Sequence, residues 1–175
     1  LLLAAGVAQV FHPGAALELR AVTKTYQLGQ HRVRAVRAVD LLVQPGEMLA
    51  LTGPSGSGKS TLLNLAGLID TPDAGEIWLR GRNVTRLSAD EATLVRRDQI
   101  GFVFQSFNLV PVMTVADNVD YPLFLAGMRQ AERRERVAAM LRAVGLEAHA
   151  AHRPDALSGG QRQRVAMARA LIKRP

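Results

Sequence analysis

Thr52-Gly53-Pro54-Ser55-Gly56-Ser57-Gly58-Lys59-Ser60-Thr61 is the stretch on which the reading of this chain turns. Gly53, Gly58, Lys59 and Ser60 satisfy the spacing G-x-x-x-x-G-K-[ST]. Glycines at Gly53, Gly56 and Gly58 permit positive φ and close approach, so that successive N–H groups can turn inward on phosphate oxygens. Lys59 can then neutralise the β and γ phosphates of a nucleotide, and the Ser60 hydroxyl is a hard oxygen suited to Mg2+. The competing reading is a flexible Gly/Ser turn with an exposed lysine. It requires a chance match, whose probability in such a chain is on the order of 1% at ordinary residue frequencies.

The flanks agree with the first reading. Upstream, Glu47-Met48-Leu49-Ala50-Leu51 is strand-like, and downstream Leu62, Leu63, Leu65, Ala66, Leu68 and Ile69 suit a buried helix that would aim its positive dipole end at the same anion. Further out, Leu17 to Val22 alternates as a strand, with turns at Leu28-Gly29-Gln30 and Gln44-Pro45-Gly46. Glu76-Ile77-Trp78-Leu79-Arg80 reads as a hairpin strand turning at Gly81, and Ile100 to Phe104 as a core strand followed by Gln105. Beyond it the pattern turns helical. Val137, Met140, Leu141 and Val144 recur at i, i+3, i+4 and i+7, and Gly145 stands where a helix end favours a left-handed residue. The order predicts an α/β fold: a P-loop nucleotide-binding core with an N-terminal antiparallel β subdomain and a helical subdomain.

Composition sets the outer bounds. The chain has 175 residues, 48% of them hydrophobic, enough for one domain with a real core. No window approaches the roughly 18 consecutive apolar residues of a membrane-spanning helix. Leu1 to Phe11 is apolar but too short to span and lacks a preceding basic stretch, so residues 1–15 are expected to be an N-terminal extension rather than a signal peptide. Without cysteine, disulfides, thiolate metal sites and cysteine nucleophiles are excluded. The net charge of +7 would suit nucleic acid, but the chain has no basic run with interleaved aromatics, so no nucleic-acid partner is expected.

A second stretch narrows the class. In Leu157-Ser158-Gly159-Gly160-Gln161, Ser158 is a good helix N-cap, the glycines allow close approach, and Gln161 to Leu171 continues as a helix. Alone it would read as an ordinary capped surface helix. With the phosphate loop, the chain from about Leu17 onward resembles the ATP-binding cassette (ABC) family, whose signature is LSGGQ followed by QR. The wording Gly101-Phe102-Val103-Phe104-Gln105-Ser106-Phe107-Asn108-Leu109-Val110-Pro111, with Asn118-Val119 beyond it, is similar to the subgroup that works in macrolide export and lipoprotein release.

The resemblance implies roles that the residues alone do not carry. Tyr26 matches the aromatic that stacks on adenine, although by itself it reads as a half-buried strand residue. Gln105 matches the Q-loop glutamine that contacts Mg2+ and the attacking water, so Lys59 and Gln105 are the expected catalytic residues, and Ser60 and Gln105 the expected metal ligands. Two cassettes are expected to pair head to tail, with Ser158, Gly159, Gly160 and Gln161 of one meeting the γ-phosphate of ATP held by Gly53 to Thr61 of the other. A transmembrane permease subunit is the implied partner, which places the chain peripherally at the cytoplasmic face of the inner membrane. Residues 16–104 would form the β subdomain and P-loop core, and residues 105–165 the Q-loop, helical subdomain and signature.

Family catalysis also needs a strand ending in Asp-Glu (Walker B) and a later His (H-loop), which should follow the signature; the chain as given ends at Pro175. The run ending in Asp70 is expected to lie on the helix after the phosphate loop and to be no substitute, and His12, His31, His149 and His152 are expected to face solvent or to pack. A parallel core lacking later strands is expected to leave an edge unpaired, and hydrolysis by the 175-residue segment alone is expected to be slow or absent. Two other classes compete: a soluble cassette ATPase acting on nucleic acid, and a non-hydrolysing nucleotide-binding module. The first is disfavoured because no sustained heptads, such as a long coiled coil would need, separate Gln105 from Leu157.

Overall fold

The structure, a computed structural model, describes residues 2–4, 7–11 and 16–173, the first two stretches as backbone only. His12 and most of the expected N-terminal extension's loops lie outside the described residues. Strands β1 (Leu2–Ala4) and β2 (Val7–Phe11) precede the long hairpin of β3 (Leu17–Leu28) and β4 (His31–Val43). Then come β5 (Leu49–Leu51), helix α1 (Lys59–Ala66), β6 (Ala74–Leu79), β7 (Arg82–Asn83), α2 (Ala89–Gln99) and β8 (Ile100–Val103). Helices α3 (Val115–Leu125), α4 (Gln130–Ala143) and α5 (Gly159–Leu171) complete the order, with two short 3-10 turns, Glu147–His149 and Pro154–Ala156, between α4 and α5.

One sheet is antiparallel throughout, in the order β4-β3-β6-β7. Its last hairpin turns through Arg80 and Gly81, both at positive φ (53° and 74°), the two-residue geometry whose twist matches the flanking strands. Leu17, Leu19, Val22, Ile77 and Leu79 alternate onto one face and are buried to within 2% of complete, where they meet Leu63 and Leu65 of α1. This is the first of two hydrophobic clusters.

The second sheet runs β5-β1-β2-β8, with β1 parallel to β5 and both β1 and β2 and β2 and β8 antiparallel. The two strands that lead into the phosphate loop and into Gln105 therefore run in the same direction. Residues 2–4 and 7–11 lie between them and pair with both, while β5 and β8 stand at the two ends of the sheet, each paired on one side among the described residues.

The second cluster is helical. Val115, Val119 and Leu123 of α3, Val137 and Leu141 of α4, and Val165, Ala168 and Ile172 at the α5 end pack together with Leu146 and Leu157. The predicted stripe on α4 is met: Val137 and Leu141 are buried, and Met140 and Val144 pack at its margin. Gly145 follows at φ 65°, with Gly145 N–H on the Arg142 carbonyl and Leu146 N–H on that of Leu141, the paired bonds that end a helix through a left-handed residue. The clusters meet where β8 lies against α5. A Cβ on Gly101 would fall 2.5 Å from the Ala170 carbonyl oxygen, so only glycine permits this approach.

Candidate functional site

The phosphate loop leaves β5 and curls around its own lysine. Lys59 Nζ donates to the carbonyls of Gly53 (2.8 Å) and Pro54 (2.7 Å) and reaches Ser57 Oγ at 3.4 Å. Gly53, Gly56 and Gly58 take φ of 150°, 79° and 87°, the positive values anticipated from the glycine spacing. Gly58 is doubly constrained, because a Cβ there would lie 2.1 Å from the Ala35 carbonyl oxygen of β4.

Gly58 is also the N-cap of α1, and it brings no side-chain cap; the first turn carries no acid either. The leading N–H groups of α1 are therefore left to an external acceptor, beside a positive dipole end and an ammonium. A hollow of about 600 Å³ opens here, walled by Gly53, Pro54, Gly56 to Lys59, and by Arg34 to Arg37 of β4. Its chemistry is that of a site for a polyanion.

Tyr26 does not line this hollow. Its hydroxyl donates to Asp70 Oδ2 at 2.7 Å and hydrogen-bonds with Thr61, which ties β3 to the helix that carries the loop. Asp70 is not on that helix, contrary to expectation: α1 stops at Ala66, and Leu68 at φ 57° bends the chain away from the helix axis. There Asp70 also accepts from Lys24 Nζ at 2.6 Å and from the Thr71 N–H at 2.7 Å. Burial alone would push its carboxyl up. The bonds from Lys24, Tyr26 and Thr71 outweigh that and hold it below the usual carboxylate range. Burial, with Asp70 alongside, raises the Tyr26 phenol.

Gln105 is exposed, just past β8, at the head of a turn in which Phe107 N–H bonds the Phe104 carbonyl and Phe107 and Asn108 take positive φ (62° and 47°). That turn is held from a distance. Arg169 of α5 donates to the carbonyls of Asn108 (2.6 Å) and Phe107 (2.8 Å). Burial lowers the pKa of Arg169, but an arginine stays charged in a protein. Behind the turn, buried Asn118 accepts from Val110 N–H at 2.8 Å and donates to the carbonyls of Val110, Met113 and Thr114.

Ser158 to Gln161 form the start of α5 as expected. Ser158 Oγ accepts from Gln161 N–H (3.3 Å) while Gln161 Oε1 accepts from Ser158 N–H (2.8 Å), a reciprocal cap with no acid in the first turn. Nothing lies within 4 Å of a Cβ built on Gly159 or Gly160, so this helix end stands open. It belongs to the helical cluster, and none of its residues is among those walling the phosphate-loop hollow.

Three contacts at these places escaped the sequence reading. Arg169 carries no local signal, since it acts on carbonyls 61 and 62 residues away, whereas the partners of Asn118 lie only 4 to 8 residues back. His149, expected to pack or face solvent, is half-buried beside His152 and also meets the signature: its Nε2 lies 2.9 Å from Gln161 Nε2. His31 and His152 are exposed, as expected.

Residues 36–175 match the family described as ABC transporter. The chain is 48% identical, over 91% of its length, to the macrolide export ATP-binding/permease protein MacB of Marinobacter nauticus, of which it spans only a quarter. It is 46% identical to the lipoprotein-releasing system ATP-binding protein LolD of Roseobacter denitrificans, again over 91% of the chain and 70% of that protein. Its fold is similar to the dimeric ABC transporter cassette MJ0796 of Methanocaldococcus jannaschii, with a TM-score of 0.84 and 46% identity over 91% of this chain and 70% of that one. A second structure of that cassette, bound to ADP and Pi, gives a TM-score of 0.82 at 43% identity, with the same coverage. With an uncapped glycine loop around Lys59, a capped Ser158-Gly159-Gly160 helix end and these relatives, the chain belongs to the ABC transporter family and carries part of its ATP-binding domain.

Proposed function

We propose that this chain is the nucleotide-binding part of an ABC transporter ATPase that couples ATP binding and hydrolysis to a membrane partner, in the manner of macrolide export or lipoprotein release. The observation that carries the reading is the left-handed glycine loop wrapped on Lys59 at a helix end whose N–H groups have no cap.

Each residue then has a task. Amides of Gly53 to Thr61 hold the phosphate tail, and Lys59 exchanges its carbonyl partners for the β and γ oxygens. The Ser60 hydroxyl and the Gln105 amide oxygen would hold Mg2+, which would offset the phosphate charge. This suits a chain with no cluster of three or more His, Cys, Asp or Glu among its described residues. Tyr26 borders the adenine end, its ring set by the Asp70 and Thr61 contacts. Ser158, Gly159 and Gly160 present an open helix end to the γ-phosphate held by a second cassette, which makes ATP the bridge between two subunits. Residues 16–104 serve as the nucleotide-holding half and residues 105–165 as the half that faces the partner. No described helix is long and apolar enough to cross a membrane, so a permease would supply the membrane passage.

Calorimetry of the intact protein with MgATP tests this. Lys59→Ala is expected to abolish measurable binding; unchanged affinity would refute it.

A further inference from the structure

The hydrogen bonds at the start of α5 fix the protonation state of a histidine. A backbone N–H can only donate, so the Ser158 N–H at 2.8 Å compels Gln161 to present its amide oxygen. The Gln161 nitrogen must then face outward, and it lies 2.9 Å from His149 Nε2. Because that amide can only donate, His149 Nε2 must hold a lone pair, with the ring neutral and its proton on Nδ1. His149 Nδ1 is buried and has no hydrogen-bond partner among the described residues, so the bond to Gln161 is the ring's recorded polar anchor.

We propose that His149 is a positioning residue of the signature: as a neutral acceptor it orients Gln161, and through it Ser158 to Gly160, and protonation of its ring releases them. This rests on the reading of α5 as the end that meets a second subunit's γ-phosphate. A proton on Nε2 sets two donors 2.9 Å apart. Turning the Gln161 amide over relieves that pair only by pointing its NH2 at the Ser158 N–H. Withdrawing the side chain leaves that N–H without its acceptor. Either way half of the reciprocal cap is lost, and the bare glycines that follow have no side chain to replace it.

Neighbouring charges do not prevent this. On the same turn Glu147 lies 3.9 Å from Arg142 of α4, and on α3 the Asp117 carboxylate is engaged by Thr114 Oγ1 at 2.6 Å. On α5, Arg162 donates to the Leu157 carbonyl. The ring beside His149 is that of His152, 5.3 Å between centroids.

The test is the pH profile of ATP hydrolysis by the intact transporter ATPase. Gln at position 149 can place a carbonyl oxygen near the former Nε2 without titrating. His149→Gln is therefore expected to keep turnover at pH 8 and to hold it at lower pH, where wild-type turnover is expected to fall. His149→Phe has no acceptor and is expected to lower kcat about fivefold to tenfold at every pH, while MgATP affinity measured without turnover stays put. A His149→Gln profile that superimposes on wild type overturns the proposal, as does wild-type kcat in His149→Phe. If His149→Phe fails to fold, the His149→Gln profile decides. Hydrolysis that survives Lys59→Ala would instead refute the ATPase reading, a separate failure.

Discussion

The most constrained single residue of the site is Gly58. It needs φ 87° for the loop to turn into α1 and it needs an absent Cβ for β4 to pass beside it. Gly58→Ala adds strain of about 1–3 kcal/mol and a clash with fixed backbone. MgATP affinity of the intact protein is expected to fall at least about tenfold, and calorimetry reads it directly. Asp70 is informative in another way. Its pKa is lowered on folding, so its ionised form adds stability above the ordinary carboxylate range, and that contribution disappears as pH drops through its folded value. Asp70→Asn is expected to lower Tm at pH 7, with the gap to wild type closing as the solution is made more acid than that range. A constant gap would mean that Lys24 and Tyr26 gain nothing from the charge.

At the scale of elements, the loop between β8 and α3 is set less by its own turn than by what grips it from behind. Asn118, 1% exposed, spends both ends of its amide on the backbone of Val110, Met113 and Thr114. Asn118→Leu keeps the volume but leaves a buried N–H and its neighbouring carbonyls unpaired, at a cost of roughly 2–3 kcal/mol. Denaturant unfolding should give that loss with an unchanged m-value, and hydrogen exchange should quicken across residues 110–114. The caps of α2, α3 and α5 are the counterpart: Ser88, Thr114 and Ser158 each bond the residue three along, so these helix starts are local and each was open to reading from spacing. Only that of α5 is followed by two glycines, which leave its end open.

Over the whole molecule, two hydrophobic clusters meet along the seam between β8 and α5, and the seam is as narrow as a missing Cβ. Gly101→Ala would force β8 from the Ala170 carbonyl and loosen Arg169 from the turn behind Gln105. About 2–3 kcal/mol of destabilisation is expected, with faster exchange at residues 104–108 in the intact protein. Gly101→Ala with wild-type stability would show that the seam yields easily. What the sequence by itself determined is everything governed by bonds a few residues long: the phosphate loop, whose glycine spacing prescribes positive φ, the capped start at Ser158, the stripe of α4 and its end at Gly145. Those features depend on backbone sterics and i to i+3 hydrogen bonds, which composition and spacing encode. Tertiary structure alone decided that Tyr26 meets Asp70, that Arg169 reaches back to Phe107 and Asn108, that His149 faces Gln161, and that residues 2–4 and 7–11 fill the place between β5 and β8. These join groups from 12 to 90 or so positions apart, and no local preference selects a partner at such separation. Packing does, because a buried polar group must find whichever complement the fold brings within about 3 Å.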